Sequence, residues 1–334
     1  MDTSTIRALL PQKQREPFDD IVLQRVLGAS RHIAMIGEMF LAVAREGAAN
    51  NRDSLQTAAD IDSVAAYFKA TRGQASCAIG NAIDVMLRGM DGLKTLSPTE
   101  AAALADQAVS AYGKGAEQDI RTLSGYAAAV SREMDSILLF DYSSTVNQFL
   151  KRLGEEKRQM TVYIPESRII NGGFPYVATA LEGGFKVHFI PDAALMYNLR
   201  QCDAAFFGAE TFYADGTAFN TLGSDMVGLI CREYHVPLYV LTPLIKLDTR
   251  PLTGHARKPV MNDAGDKMKS AGFNPEQMAQ IDFLSPELVP VPPAFITAFI
   301  TEEGIIPPTG MFGVSMTYAS KLSGKDGYHE SQQS

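Results

Sequence analysis

Cysteine is scarce in this chain, with Cys77, Cys202 and Cys231 the only three. An odd number at wide spacing argues against a disulfide framework, and no pair stands at zinc-binding spacing. The chain therefore reads as one from a reducing compartment and is expected to be cytoplasmic. Nor does it contain 18 consecutive apolar residues, and MDTSTIRALLPQKQREPFDD at its start lacks the apolar run of a signal peptide. Positive charge is short as well: 30 Lys and Arg against 38 Asp and Glu give a net charge of -8. Without a basic field, no nucleic-acid partner is expected, and no membrane partner either. His32, His188, His235, His255 and His329 are scattered without ligand spacing, so neither a metal nor a cofactor is expected; His188 reads as packed inside a strand. No repeat of solenoid period is present.

What the chain does have is core material: 46% of its 334 residues are apolar, enough for one large domain or two ordinary ones. Residues 1–16 read as a disordered arm. From 17 to 134 strand signals are almost missing, while Ala, Leu and Met recur at helical spacing, as in DIVLQRVLGASRHIAMIGEMFLAVARE. Helix starts are marked by Asp53-Ser54 and by Ser97-Pro98-Thr99-Glu100, a capping side chain before an acidic first turn. This predicts an N-terminal all-helical domain.

Past residue 135 the texture changes to short apolar runs: SILLF (136–140), TVYI (161–164), FKVHFI (185–190), DAAFF (203–207) and VPLYVL (236–241). Their intervals leave room for one crossover helix each, the pattern of a Rossmann-like, doubly wound parallel sheet over 135–320. Residues 249–280 look like a surface excursion, and 321–334 like a disordered polar tail. The expected fold class is α/β, helical domain first.

In such sheets ligands sit beyond the carboxyl ends of the strands, near a switch in strand order. Those ends carry Asp141-Tyr142-Ser143-Ser144, Glu166-Ser167-Arg168, Asp192, Gly208-Ala209-Glu210 and Lys246-Leu247-Asp248. One shared pocket explains all five clusters economically, although any one of them alone also reads as a polar loop. Glu210 stands just where an apolar strand ends, followed by an Asp215-Gly216 turn that aims Asn220 at the same space. Such a carboxylate serves as a general base or holds sugar hydroxyls; the plainer reading is a turn cap. Lys246 and Asp248 line that pocket or form a simple exposed ion pair.

Upstream, TRGQASCAIGNAI (71–83) sets Arg72 beside Gly73 before a helix, where a guanidinium and free amides can converge on an anion. Ser143-Ser144 is a second candidate of the same type, with a plain N-cap as its alternative. Cys77 either touches the pocket or is a small buried hydrophobe. Thr301-Glu302-Glu303-Gly304 is read as closing the pocket or, preferably, lining a dimer seam.

ESRIINGG (166–173), IPDAALMYNLRQCDAAFFGAETFYADGTAFNTLGS (190–224), VPLYVLTPLIKLD (236–248) and PPAFITAFITEEGIIPP (292–308), after TRGQASCAIGNAI, form an ordered series over about residues 60–315. The series resembles the superfamily that unites the alpha, beta and delta subunits of translation initiation factor 2B with methylthioribose-1-phosphate and ribose-1,5-bisphosphate isomerases. That resemblance implies a helical domain leading into a Rossmann-like one, a phosphosugar pocket between them, and a homodimer or dimer-based oligomer. Arg72 falls on the family's phosphate-binding arginine, and Arg168 with Gly173 on its Glu-Ser/Thr-Arg signature. The isomerases resemble one another in a cysteine after the first strand, an aspartate in Gly-Ala-Asp and an Asn-Lys pair. Here Asp141, Glu210 and Thr221 stand in the places of the cysteine, the aspartate and the lysine.

Two functions are compatible with these departures. In the preferred one, Asp141 and Glu210 are the acid and base of an aldose-to-ketose isomerisation of a ribose-type sugar phosphate, and one carboxyl is raised in pKa by burial and like charge. Arg72, Gly73, Ser143, Ser144, Arg168, Gly173, Asn220 and Lys246 then bind substrate and phosphate. In the other, the same pocket binds a sugar phosphate or nucleoside monophosphate without turnover, as the factor 2B alpha subunit resembles it in Gly-Ala-Glu.

Overall fold

The computed structural model describes residues 2–26, 28–255, 261–263, 265 and 272–324. The chain falls into two units, one formed by 1–119 with 245–247 and 318–334, the other by 120–244 and 248–317.

The first unit is helical: α1 (Thr3–Leu9), α2 (Arg15–Val22), α3 (Ala29–Ala49), α4 (Ser54–Ala70), α5 (Arg72–Ala75), α6 (Cys77–Gly89) and the start of α7 (Pro98–Val130). Its core is assembled from residues three, four and seven apart: Ile36, Phe40 and Val43 of α3, Ile61, Val64 and Phe68 of α4, and Ile79, Ile83 and Met86 of α6. Both predicted helix starts are present. The Asp53 carboxylate accepts from the Leu55 amide at 3.0 Å, and Ser97 with Glu100 forms a reciprocal cap, Ser97 N to Glu100 Oε2 at 3.0 Å.

Where a disordered arm is expected over 1–16, the chain instead forms α1 and begins α2. Ile6 and Leu10 are each 1% exposed in the helical core, and Arg7 Nε pairs with Asp19 at 2.8 Å. Two apolar side chains on one face are enough to dock a helix, but polar flanks hide them in the sequence. At the other end, Lys321 to Ser323 close the helix Met311–Ser323, with the Lys321 and Leu322 carbonyls accepting from the Arg88 guanidinium. The rest of the expected disordered tail, 325–334, lies outside the described residues, as does part of the 249–280 excursion. No helix among the described residues is long and apolar enough to cross a membrane.

The second unit is built on a seven-stranded sheet. Its parallel strands include β1 (Ser136–Leu139), β2 (Thr161–Pro165), β3 (Lys186–Ile190), β4 (Ala204–Gly208) and, after the short strands β5 (Thr211–Tyr213) and β6 (Ala218–Thr221), β7 (Leu238–Leu241). The spatial order is Gly304–Ile306, Ala298–Thr301, β7, β4, β1, β2, β3, with only the Gly304–Ile306 strand antiparallel. The five predicted strands are all present; Ala298–Thr301 is a sixth that strand periodicity did not mark. Alternate residues bury on opposite faces: Ile137, Leu139, Val162, Ile164, Ala204 and Phe206 join α8 (Ser144–Glu155) and α9 (Phe174–Glu182) in one core. Leu138, Ala205 and Phe207, pointing the other way, are 0% exposed as well. A sheet covered on both faces is the doubly wound arrangement expected from its uniformly apolar strands.

The stretch after Glu210 departs from the expected loop. β5 and β6 form an antiparallel hairpin, and β6 pairs on its other edge with Leu288–Val291. The Asp215-Gly216 turn is where the sequence puts it: Gly216 has φ 84°, Thr217 N donates to Asp215 Oδ1 at 2.8 Å, and Tyr213 N to Thr217 O at 2.9 Å.

Candidate active site

The strand order reverses at β1. From there the chain winds outward to β2 and β3, then returns to place β4 on the other flank of β1, so the switch point lies between β1 and β4. Parallel pairing aligns Leu139 with Phe206, and Phe140 N donates to Phe206 O at 3.1 Å. Asp141 therefore leaves β1 level with the end of β4, and Glu210 follows two residues after Gly208. The two candidate catalytic carboxylates emerge from neighbouring strands at the edge where α/β sheets bind ligands.

Asp141 has φ 56°, a left-handed conformation that aspartate tolerates better than most residues, and is 3% exposed. Its Oδ1 accepts from Ser167 Oγ at 3.0 Å, and its backbone carbonyl accepts from the Tyr176 hydroxyl at 2.7 Å. The same Tyr176 oxygen accepts from Ser143 N at 2.8 Å, so one fully buried phenol ties together both ends of the bend at 141–143. Y176F keeps the ring and strips that tie, leaving a buried amide and carbonyl unpaired. It is expected to lower stability by about 1–3 kcal/mol in urea unfolding; an unchanged midpoint contradicts the assignment.

Burial raises the Asp141 carboxyl above its ordinary value of 3.8, and the charge of Asp192 adds to the rise. Hydrogen bonds from the Thr221 and Ser167 side chains and the Tyr142 amide pull the other way. A folded-state pKa above the unfolded one means that the stabilisation from this group is complete below the unfolded value and is lost as pH rises through the folded one. D141N stays neutral throughout. Its melting temperature relative to the parent is therefore expected to climb as pH is raised from about 4 toward 8; a constant difference across thermal melts contradicts the raised pKa.

The loop from Glu166 to Gly173 wraps this carboxyl. Gly172 is glycine by necessity, because a Cβ there would lie 2.0 Å from Asp141 Oδ1. Gly173 ends the loop before α9, its amide donating to Glu166 O at 3.2 Å. Ser167 N and Arg168 N each donate to Asp192, at 2.9 and 2.9 Å, and the Arg168 residue is exposed. Close approach demands glycine at position 208 as well: a Cβ would meet Ser143 Oγ at 2.3 Å. Ser143 holds the N-cap position of α8 without a side-chain capping bond, and Ser144 is the first residue of that helix.

Glu210 is half-buried, its amide donating to Phe219 O at 2.9 Å, which fastens it to the hairpin. Asn220 is buried on β6 with Nδ2 donating to Ser224 Oγ at 3.0 Å. The next residue, Thr221, is 5% exposed, and its side chain is among the groups that pull the Asp141 pKa down. The residue in the lysine's place thus acts on the carboxyl in the cysteine's place.

Arg72, Gly73 and Lys246 belong to the helical unit. Arg72 and Gly73 lie within the four-residue α5 rather than before the longer helix. The half-buried Arg72 has its Nε buried without a hydrogen-bond partner, and so has the hydroxyl of Ser76, the N-cap residue of α6. Lys246 ends a short 3-10 turn, and its segment is pinned to α6: Cys77 Sγ donates to Lys246 O at 3.1 Å, and Asn81 Nδ2 to Ile245 O and Leu247 O at 2.8 and 2.9 Å. Asp248 is 2% exposed rather than exposed, and its ion pair is with Arg250 at 2.7 Å. Thr301 to Gly304 form the turn between the last two strands, where the Glu302 carboxylate accepts from Leu244 N at 3.0 Å. His188 stacks on Tyr163 with ring centroids 4.9 Å apart.

The family model of the initiation factor 2 subunit family (IF-2B) matches residues 25–308, most of the chain and every position of the candidate site described above. The chain belongs to that family. Among its curated relatives in the family, it is 25% identical over 199 residues to the ribose 1,5-bisphosphate isomerase of Methanocaldococcus jannaschii, covering 60% of this chain but 63% of that protein, less than two thirds. It is 25% identical over 296 residues to the ribose 1,5-bisphosphate isomerase of Haloterrigena turkmenica, covering 87% of this chain and 89% of that one. The solved structure of 5-methylthioribose 1-phosphate isomerase from Pyrococcus horikoshii superposes with a TM-score of 0.73 at 18% identity, over 94% of this chain and 92% of the other. At that identity the superposition establishes the shared fold.

Gly172 and Tyr176 stand against Asp141 without being marked at the strand ends, whereas Ser167 belongs to a strand-end cluster and Thr221 to the position of the lysine. Gly172 lies inside ESRIINGG (166–173), the stretch that marks it in the sequence. Tyr176, buried on a helix, carries no such mark.

Proposed function

We propose that this protein is an aldose-ketose isomerase acting on a ribose-type sugar 1-phosphate, with Asp141 and Glu210 as its proton carriers. The observation that carries the reading is the Asp141 carboxyl itself: buried among hydroxyls at the β1/β4 switch and raised in pKa by that burial. A carboxyl of this kind is suited to hold a proton for a general-acid step. The names of the relatives, isomerases of ribose 1,5-bisphosphate and methylthioribose 1-phosphate, point to the same substrate class.

In this reading Asp141 protonates the ring oxygen as the ring opens, while Glu210 takes the hydrogen from C2. Glu210 returns that hydrogen to C1 as a proton, and the O2 proton goes back to Asp141, leaving the C2 carbonyl of the ketose 1-phosphate and both carboxyls as they began. The reaction is redox-neutral within the substrate and needs no external oxidant. Arg72, with its buried Nε unpartnered, is assigned to the phosphate together with Ser76, whose hydroxyl is also buried and unpartnered, because both groups gain a hydrogen bond when an anion arrives. Gly73, Lys246, Arg168, Gly173, Ser143, Ser144 and Asn220 are assigned to substrate binding. The protein is further proposed to work as a homodimer.

A thermal-shift series with ribose 1-phosphate, ribose 1,5-bisphosphate, methylthioribose 1-phosphate, hexose phosphates and nucleoside monophosphates tests the binding half. A ligand at about 100 times its dissociation constant adds roughly 2.7 kcal/mol. Stabilisation by an aldose 1-phosphate is the expected result; selective stabilisation by a nucleoside monophosphate overturns the substrate class.

A further inference from the structure

We propose that Asp192 is a positioning residue for this reaction: it clamps the loop that sets the Ser167 hydroxyl on the Asp141 carboxyl. For its kinetic readout the inference rests on the isomerase reading above.

Asp192 follows the end of β3, next to the end of β2, where Pro165 pairs with Ile190 and Glu166 N donates to Ile190 O at 2.9 Å. One residue further on, the ladder stops and the Asp192 carboxylate takes over as acceptor, Oδ1 for Ser167 N and Oδ2 for Arg168 N, both at 2.9 Å. Two charge-assisted bonds to consecutive amides fix a peptide plane in orientation as well as position. Ser167 needs such a hold. Its φ is 46°, in the left-handed region that serine seldom occupies, and it is 1% exposed. With the backbone so fixed, its Oγ lies 3.0 Å from Asp141 Oδ1. The chain of contacts thus runs from the Asp192 carboxylate through the Ser167 amide and hydroxyl to the reacting acid. Thr221 and the Tyr142 amide complete the donors around that acid, and the Tyr176 phenol stands on its backbone carbonyl.

D192N preserves volume but offers one acceptor oxygen and a donor NH2, so one of the two amides faces a donor and the clamp opens. The experiment compares the parent, D192N, S167A and D192N/S167A by proton NMR of aldose 1-phosphate conversion, with circular dichroism to check folding. The expected result is a fall in kcat of about 10- to 100-fold in D192N, since misplacement near 1 Å costs on that order. KM stays within about threefold, S167A falls alike, and the double variant is no slower than the slower single one, because both act through one contact. A D192N kcat within twofold of the parent, or losses that multiply in the double variant, overturns the proposal. Should D192N not fold, S167A decides alone, and parental kcat in it is equally fatal. If the parent converts no aldose phosphate, the isomerase reading fails separately, and a crystal structure of D192N decides the clamp. Ser167 Oγ beyond about 3.5 Å from Asp141 supports it, and an unaltered contact overturns it.

Discussion

Glu210→Gln is expected to fold like the parent and to isomerise an aldose phosphate about 10²- to 10⁴-fold more slowly, the usual worth of a general base. Glutamine keeps the size and one acceptor oxygen of the side chain but does not take up a proton. The fold has little reason to notice the change. Glu210 is fastened through its backbone amide to Phe219 O, and the residue is half-buried rather than packed in the core. The loss should therefore appear in kcat, read by proton NMR, with a melting temperature close to that of the parent. Parental turnover in this variant removes Glu210 from the mechanism and leaves Asp141 without a base.

Arg72→Ala carries the second large effect, on affinity. A guanidinium on a phosphate contributes about 1.5–3 kcal/mol per charged hydrogen bond, so the dissociation constant for a sugar phosphate should rise roughly 10- to 150-fold. Stability of the unliganded protein should change little or even improve, because the Arg72 Nε is buried without any hydrogen-bond partner to lose. This opposite behaviour of liganded and free protein separates a binding arginine from a structural one. Thermal-shift titration measures both quantities in one experiment, and full affinity in the alanine variant contradicts the phosphate assignment.

The parallel sheet was legible because each strand is a short apolar run with room for a helix after it, and burial on both faces leaves no polar residue after the first position of SILLF or DAAFF. Ala298–Thr301 escaped notice because its four residues sit within a longer apolar stretch behind two prolines. The β5–β6 hairpin was missed for the opposite reason. Strands of three and four residues are too short to show alternation, and the Asp215-Gly216 turn between them is equally at home in a loop.

For the candidate site, the strand ends single out Asp141 and Glu210 as candidates, since doubly wound sheets bind ligands at that edge whatever their chemistry. The strand ends also mark Ser167 and Asp192, but not that these two residues hold Asp141 in place. Ser167 lies 26 positions from Asp141, and Asp192 another 25 beyond it; their contacts exist only once β1, β2 and β3 are aligned. Gly172 is another case, a glycine whose reason is an oxygen 2.0 Å from where its Cβ would be. Local pattern carries strands and helices, whereas the cage around a reacting group is a property of register.

The most direct measurement is a proton NMR time course of the purified protein, and of Glu210→Gln beside it, with ribose 1-phosphate, ribose 1,5-bisphosphate and methylthioribose 1-phosphate in turn. The account predicts that at least one aldose signal gives way to its ketose 1-phosphate with the parent and stays unchanged over the same interval with the variant. Binding of these compounds without any conversion by the parent would contradict it, and would make the protein a sensor of sugar phosphates.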